Sequence, residues 1–281
     1  YETEFWDADK LFHERLKGGD TDGARRALHQ MTQFYPQLND NDLAGNKAIM
    51  HHALALDKVI VNFNIAYFVP YAMRLADYDW SGESHNGSIV PSLGQRITNR
   101  LMRGIAEQPD TYIKAVMPFF RKALQHNPSN KDNQRNLAQL YVRVRLRSQA
   151  ISIYKQLLRR YHDSYLYSEL AELLDDPKER IALFSQAIVH QPKEAYNMAN
   201  RARLAELLQM PEPTRAVFEI NKSIFARKKS KQQIPANVER IGRILADYTP
   251  VTEAEEQLFY QKLKPLADKV INSFCYLHLN V

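Results

Sequence analysis

Apolar residues recur along this chain at intervals of three and four, and the runs are punctuated by capping residues and breakers, as expected of one amphipathic helix after another. Helices are predicted over roughly 3–17, 21–35, 42–56, 58–77, 93–107, 111–126, 131–144, 147–161, 164–174, 177–190, 194–209, 213–227, 235–247 and 252–275. Gly18-Gly19 stops the first, Pro36 follows the second, and Thr252 with Glu255 makes a capping box that starts the last. Two stretches break the rhythm. Asp77 to Leu93 carries a Gly-, Ser- and Asn-rich run and is expected to be a long loop; Lys228 to Ile234 is basic and Gln-containing and ends at Pro235. They divide the chain into an N-terminal helical region (1–80), a central array (93–227), and a basic linker with C-terminal helices (228–281).

The central array repeats itself. Leu137-Ala138-x-Leu140-Tyr141, Leu170-Ala171-x-Leu173-Leu174 and Leu204-Ala205-x-Leu207-Leu208 are one pattern, recurring at spacings of 33 and 34 residues. In the first unit Ala150 and Tyr154 add a small and an aromatic residue on a second helix, and Phe120-Ala123-Pro128 and Phe184-Ala187-Pro192 share one internal spacing. Small residues matter because two helices approach to about 8–10 Å only where the side chains at their crossing are small. On these residues the stretch from about 93 to 227 resembles tetratricopeptide repeats. The resemblance implies an all-α solenoid of antiparallel helix pairs, a right-handed superhelix closed by a C-terminal capping helix. It departs from the pattern at Gly104, in the short turn of the Leu170 unit, and throughout 1–77, where helix pairs lack the motif. Residues 165–240 also look like a poorly characterised bacterial tetratricopeptide family found near phage-conflict genes, through two Leu-Ala-Glu-Leu-Leu segments, a Glu-Ile-x-x-x-Ile helix and a basic stretch with Ile-Pro. That resemblance implies a scaffold in a defence-type assembly.

Charge refines this picture. The net +6 is unevenly spread: Arg121 to Arg160 holds ten bases and one acid, Lys222 to Arg243 seven bases and one acid, and Glu169 to Glu179 is acidic. Helical periodicity puts Arg135, Gln139 and Arg143 on the first-helix face that lines the inner surface of such a superhelix, with Ser168, Glu172 and Asp175 on the matching face of the next unit. Arginines on one rung and acids on the next could clamp a protein or peptide by its charges. Arg145, Arg147, Arg159 and Arg160, with Lys228, Lys229 and Lys231, are expected to form an outer basic surface, and nucleic-acid phosphate is the alternative partner it would suit. The aromatic stretch from Val59 to Met73 is expected as a core helix, with docking of a second subunit as the other role.

No catalytic residues, metal ligands or cofactor are expected. His51 and His52 are adjacent, so on a helix they point about 100° apart and cannot share one metal. His126, His162 and His190 fall near helix ends, where a cation is favoured. Asp40-x-Asp42 lacks the later ligands of a calcium loop, and no phosphate-cradling or nucleophile motif is present. Asn86-Gly87-Ser88 fits a glycosylation sequon but is not read as one. One cysteine, Cys275, excludes an internal disulfide framework and is expected to be a buried hydrophobe. With no leader and no apolar stretch long enough to span a bilayer, a cytoplasmic protein without membrane contact is expected, and a start at Tyr1 suits a piece of a longer product.

Overall fold

The computed structural model describes residues 2–38, 43–85 and 88–273. Helices dominate them, and neighbours in sequence pack as pairs; the one exception to an all-helical chain among the described residues is a short antiparallel hairpin, Glu83–His85 with Ser88–Val90. No described helix is long and apolar enough to cross a membrane. Asp40, Asp42, Asn86, Gly87 and Cys275 lie outside the described residues. By contacts the chain divides into two units, Tyr1–Arg145 and Leu146–Val281. The division falls inside the stretch expected as one repeat array, so the Leu137 segment belongs to a different unit from the Leu170 and Leu204 segments.

In the first unit, α1 (Glu2–Lys17) ends at Gly18-Gly19, where Gly19 takes a positive φ of 77° that lets the chain reverse. The Asp20 carboxylate then caps α2 (Thr21–Phe34), accepting from the Gly23 amide at 2.8 Å. Phe5, Ala8 and Phe12 of α1 are buried, as are Ala24, Ala27, Leu28 and Met31 of α2, and the two helices pack together. After α3 (Ala44–Asp57), the helix expected over 58–77 does not form. Asn62 sits at a positive φ of 61°, a 3-10 turn covers Ile65–Phe68, and α4 is one turn long, Val69–Ala72. The run Val59-Ile60-Val61 explains the break: β-branched residues resist helix, and two asparagines follow that favour turns. The apolar stripe is also split, since Val61 is 87% exposed while Ile65, Phe68, Val69 and Ala72 are buried.

The supposed loop after Asp77 is partly structured. A 3-10 turn (Asp77–Trp80) places Trp80 flat on His126, with ring centres 4.7 Å apart. α5 (Leu93–Leu101) begins behind the Ser92 cap and packs so closely that a Cβ on Gly94 would lie 2.3 Å from the Trp80 ring. Gly104 (φ 65°) turns the chain into a second 3-10 turn at Ile105–Glu107, followed by α6 (Asp110–His126) and α7 (Lys131–Arg143).

The second unit follows the predicted rhythm: α8 (Arg147–Leu158), α9 (Ser164–Ala171), α10 (Pro177–Val189), α11 (Glu194–Leu208), α12 (Pro213–Lys229), α13 (Ala236–Ile244) and α14 (Glu253–Asn272). Leu170, Ala171, Leu204 and Ala205 are all fully buried, which is the packing role their spacing implied. Ser164, at the start of α9, donates to the Ala187 carbonyl near the end of α10 at 2.6 Å. Ser223, late in α12, donates to Met198 in the second turn of α11 at 2.7 Å, so each pair runs antiparallel. The last helix is placed differently from an end cap that touches only its neighbours. It packs on α10 and α8, where Lys155 donates to Ser273 at 2.8 Å, and it pairs with α12 through Lys222–Glu253 at 2.6 Å.

Candidate partner-binding surface

The residues expected on an inner face have distinct fates. On α7, Arg135 and Gln139 are half-buried. Arg143 is committed elsewhere: its guanidinium donates to the Ile105 carbonyl, to Ala106 at 3.0 Å and to Gln108 at 2.5 Å, with the Asp110 carboxylate at 3.8 Å. A planar fork of five donors suits a turn whose carbonyls all point one way. Arg143 is therefore a clasp for the segment before α6, and not a residue presented to a partner.

In the second unit the matching face is a charged lattice. Glu172, at the end of α9, pairs with Arg203 of α11 at 2.9 Å and with Arg180 of α10 at 3.4 Å, and Arg203 also reaches Glu206 at 3.1 Å. Glu172, Arg203 and Glu206 are exposed, while Ser168 turns back to the Ser164 carbonyl at 3.0 Å. Tyr196, 66% exposed on α11, adds an aromatic ring beside Lys193.

Asp175 and Arg147 were expected on opposite surfaces, and the structure brings them together. Arg147 contacts Asp175 at 2.7 Å and also donates to the Leu173 carbonyl at 2.5 Å. The hydrogen bond from Arg147 holds the Asp175 carboxyl below its ordinary range. Arg147 and Asp175 thus pair with each other while both side chains stay exposed. Of the other bases, Arg145 is exposed at a positive φ of 64° in the first unit. Arg159 and Arg160 close α8, with Arg159 reaching the Ile271 carbonyl at 3.3 Å. Lys228 and Lys229 are exposed in the last turn of α12 and Lys231 just beyond it, where cations favour the helix terminus.

A further arrangement, between α11, α12 and α14, escaped the sequence reading. Arg201, 2% exposed, donates to Glu219 at 2.6 Å, to the Tyr260 hydroxyl at 3.1 Å, and through its other nitrogens to Glu194 at 2.8 and 2.7 Å. The Tyr260 hydroxyl donates to Glu219, and the fully buried Glu256 pairs with Arg215 at 2.8 Å. Burial pushes the Glu219 carboxyl above its ordinary value, the Arg201 charge opposes this, and the neighbouring Glu256 adds to it. Burial likewise raises the Tyr260 hydroxyl, while the surrounding acids hold Arg201 protonated. The network fixes α14 against its neighbours and has no opening to solvent at Arg201 or Glu219, so its chemistry is cohesion.

His190 takes the C-cap position of α10, as expected of a histidine near a helix end, and its ring also stacks. His162, Tyr167 and His190 form a ring stack with centres 5.1–6.5 Å apart, and burial lowers the His190 imidazole below its usual value, which favours the neutral ring. In the first unit, the broken 58–77 segment separates two cavities. One, of about 840 Å³, is lined by Asp57, Phe63, Tyr67, Arg100, Arg103 and Tyr112, with Arg100 held on Asp57; the other, of about 550 Å³, is lined by Arg25, Arg26, His29, Phe63 and Tyr67. Their walls come from segments roughly 40–60 residues apart in sequence, so no local motif announces them.

Residues 134–267, running from within α7 to within α14, match a family model described as "Domain of unknown function (DUF7017)". No curated protein matches the chain.

Proposed function

We propose that this chain is a non-catalytic interaction scaffold of the tetratricopeptide-repeat kind, in which stacked helix pairs hold a rigid charged face for a protein or peptide partner. The observation that carries this reading is the coincidence of buried Leu-Ala pairs at repeat spacing on α9 and α11 with the exposed lattice of Glu172, Arg203 and Glu206 on the same two helices. A stacked pair supplies a surface whose side chains are preorganised, which lowers the entropic cost of capture. The resemblance of 165–240 to a bacterial family near phage-conflict genes would make the setting a defence-type assembly. The docking face is centred on Glu172 and Glu206 of the second unit, which are exposed and joined through Arg203, while Arg143 is engaged by carbonyls of its own unit.

The test is affinity purification at native abundance, with and without nuclease, of the wild type and of a Glu172→Lys, Glu206→Lys double variant. Both residues are exposed, so the variant is expected to melt like the wild type while losing a nuclease-resistant protein partner. Undiminished capture by the variant would remove the face. Material lost on nuclease treatment, with binding that weakens steeply as salt rises, would instead favour the second reading: a nucleic-acid accessory subunit acting through Arg159, Arg160, Lys228, Lys229 and Lys231, which are all exposed.

A further inference from the structure

His51 and His52 point apart on one helix, and the fold gives them different surroundings. His51 lies among Lys47, Arg96 and Asp79, whereas His52 turns toward α1. There it meets two residues four positions apart, Asp9 and His13, which share a helix face because a turn takes 3.6 residues. His52 Nε2 lies 2.7 Å from an Asp9 carboxylate oxygen, the His13 and His52 ring centres are 4.8 Å apart, and one ligand atom from each of the three residues falls within 4.8 Å of the other two.

We propose that Asp9, His13 and His52 bind a first-row divalent transition ion such as Zn2+, tying α1 to α3 and leaving an open coordination position beside His13. The donor set is two imidazoles and one carboxylate, which suits zinc and its neighbours and not the hard cations that take oxygen alone. With metal–ligand bonds of about 2.0–2.2 Å, tetrahedral ligands lie about 3.4 Å apart. The Asp9–His52 contact, at 2.7 Å, must therefore open by about 0.7 Å, and His13 must close in. Nothing holds these movements back: the proton shared between Asp9 and His52 gives way to the ion, and His13 is exposed. His52, by contrast, is 4% exposed and is fixed by Phe12, whose ring stacks on it at 3.8 Å and 19°, so one ligand is preorganised. The titratable groups that bear most on His52 are the two other ligands, Asp9 and His13, and its neighbour His51.

The site is independent of the docking face in the second unit and stands or falls separately. Chelator-stripped full-length chain is titrated with Zn2+ and with Co2+, following stoichiometry, melting temperature and the visible spectrum of cobalt. The expected result is one equivalent bound, a raised melting temperature, and cobalt bands without sulfur-to-metal charge transfer. His13→Ala, at an exposed position, is expected to melt like the wild type without metal and to bind at least about 30-fold more weakly; Asp9→Asn is expected to behave likewise. Absence of stoichiometric binding, binding untouched by His13→Ala, or a charge-transfer band from Cys275 would each overturn the assignment.

Discussion

The two units of this chain bury polar groups to different ends. In the second, Arg201, Glu219, Tyr260 and Glu256 are sealed among three helices and hold α14 in place. In the first, Asp9, His13 and His52 sit at a helix contact that remains open on one side, and the cavities around Phe63 and Tyr67 are lined by arginines. The regular unit joins its buried charges into one network across three helices, whereas the irregular unit holds the buried Asp57 and Asp79 in separate pairs with Arg100 and Lys47 and leaves His13 exposed. Regular helix pairing leaves few gaps, whereas 3-10 turns and broken helices leave pockets that side chains line without filling.

The strongest challenge to this contrast is Arg201→Met. It leaves the buried Glu219 and Tyr260 without the donor they share, and each buried group left unsatisfied costs about 1–3 kcal/mol, with the loss expected in the second unit alone. Denaturant unfolding followed by circular dichroism should then become biphasic, and a uniform shift of one transition would show that the units do not unfold separately. Next in size is Gly94→Ala in the first unit, where the new methyl meets the Trp80 ring. Overpacking of this kind costs about 1–3 kcal/mol, and Trp80 fluorescence should change as the ring leaves its stack on His126.

The third test uses pH. The folded-state pKa of Glu219 is raised, from 4.5 to about 8, so the folded chain holds a proton that the unfolded chain releases. Its contribution is complete below the unfolded value and is lost as pH rises through the folded one. Stability of the second unit should thus decline between about pH 4.5 and 8, and Glu219→Gln should flatten that slope. A slope unchanged in the variant would assign it to another group. The smallest effect belongs to Arg147→Ala. Its ion pair with Asp175 is solvent-exposed, and exposed pairs contribute little, so the melting temperature should not move measurably.

Much of the second unit was legible beforehand. The expected spans 147–161, 177–190, 194–209 and 213–227 each meet a helix within a few residues, and the Leu-Ala pairs at 170–171 and 204–205 are buried where two helices cross. These are local signals, since period and capping depend on residues within one or two turns. In 58–77 the apolar content predicts a helix, and the β-branched run Val59-Ile60-Val61 with the asparagines at 62 and 64 outweighs it. Among site residues, Glu172 and Asp175 are both exposed, and the carbonyls that hold Arg143 and the arginine that meets Asp175 lie nearby only in the folded chain. Nothing in the pattern around Asp9, His13 or His52 distinguished them from ordinary polar helix positions.

What the sequence alone determined, then, is the helical class, most boundaries in the second unit and the small residues at its crossings, because backbone hydrogen bonding and amphipathic period act over a few residues. Only tertiary structure decided where the chain divides, that α14 lies on α8 and α10, and which charges meet. Glu219 and Tyr260 are 41 residues apart, and Asp9 and His52 are 43. Contacts across such separations are set by how whole helices pack, and a polar residue carries no local mark of the partner that packing will bring to it.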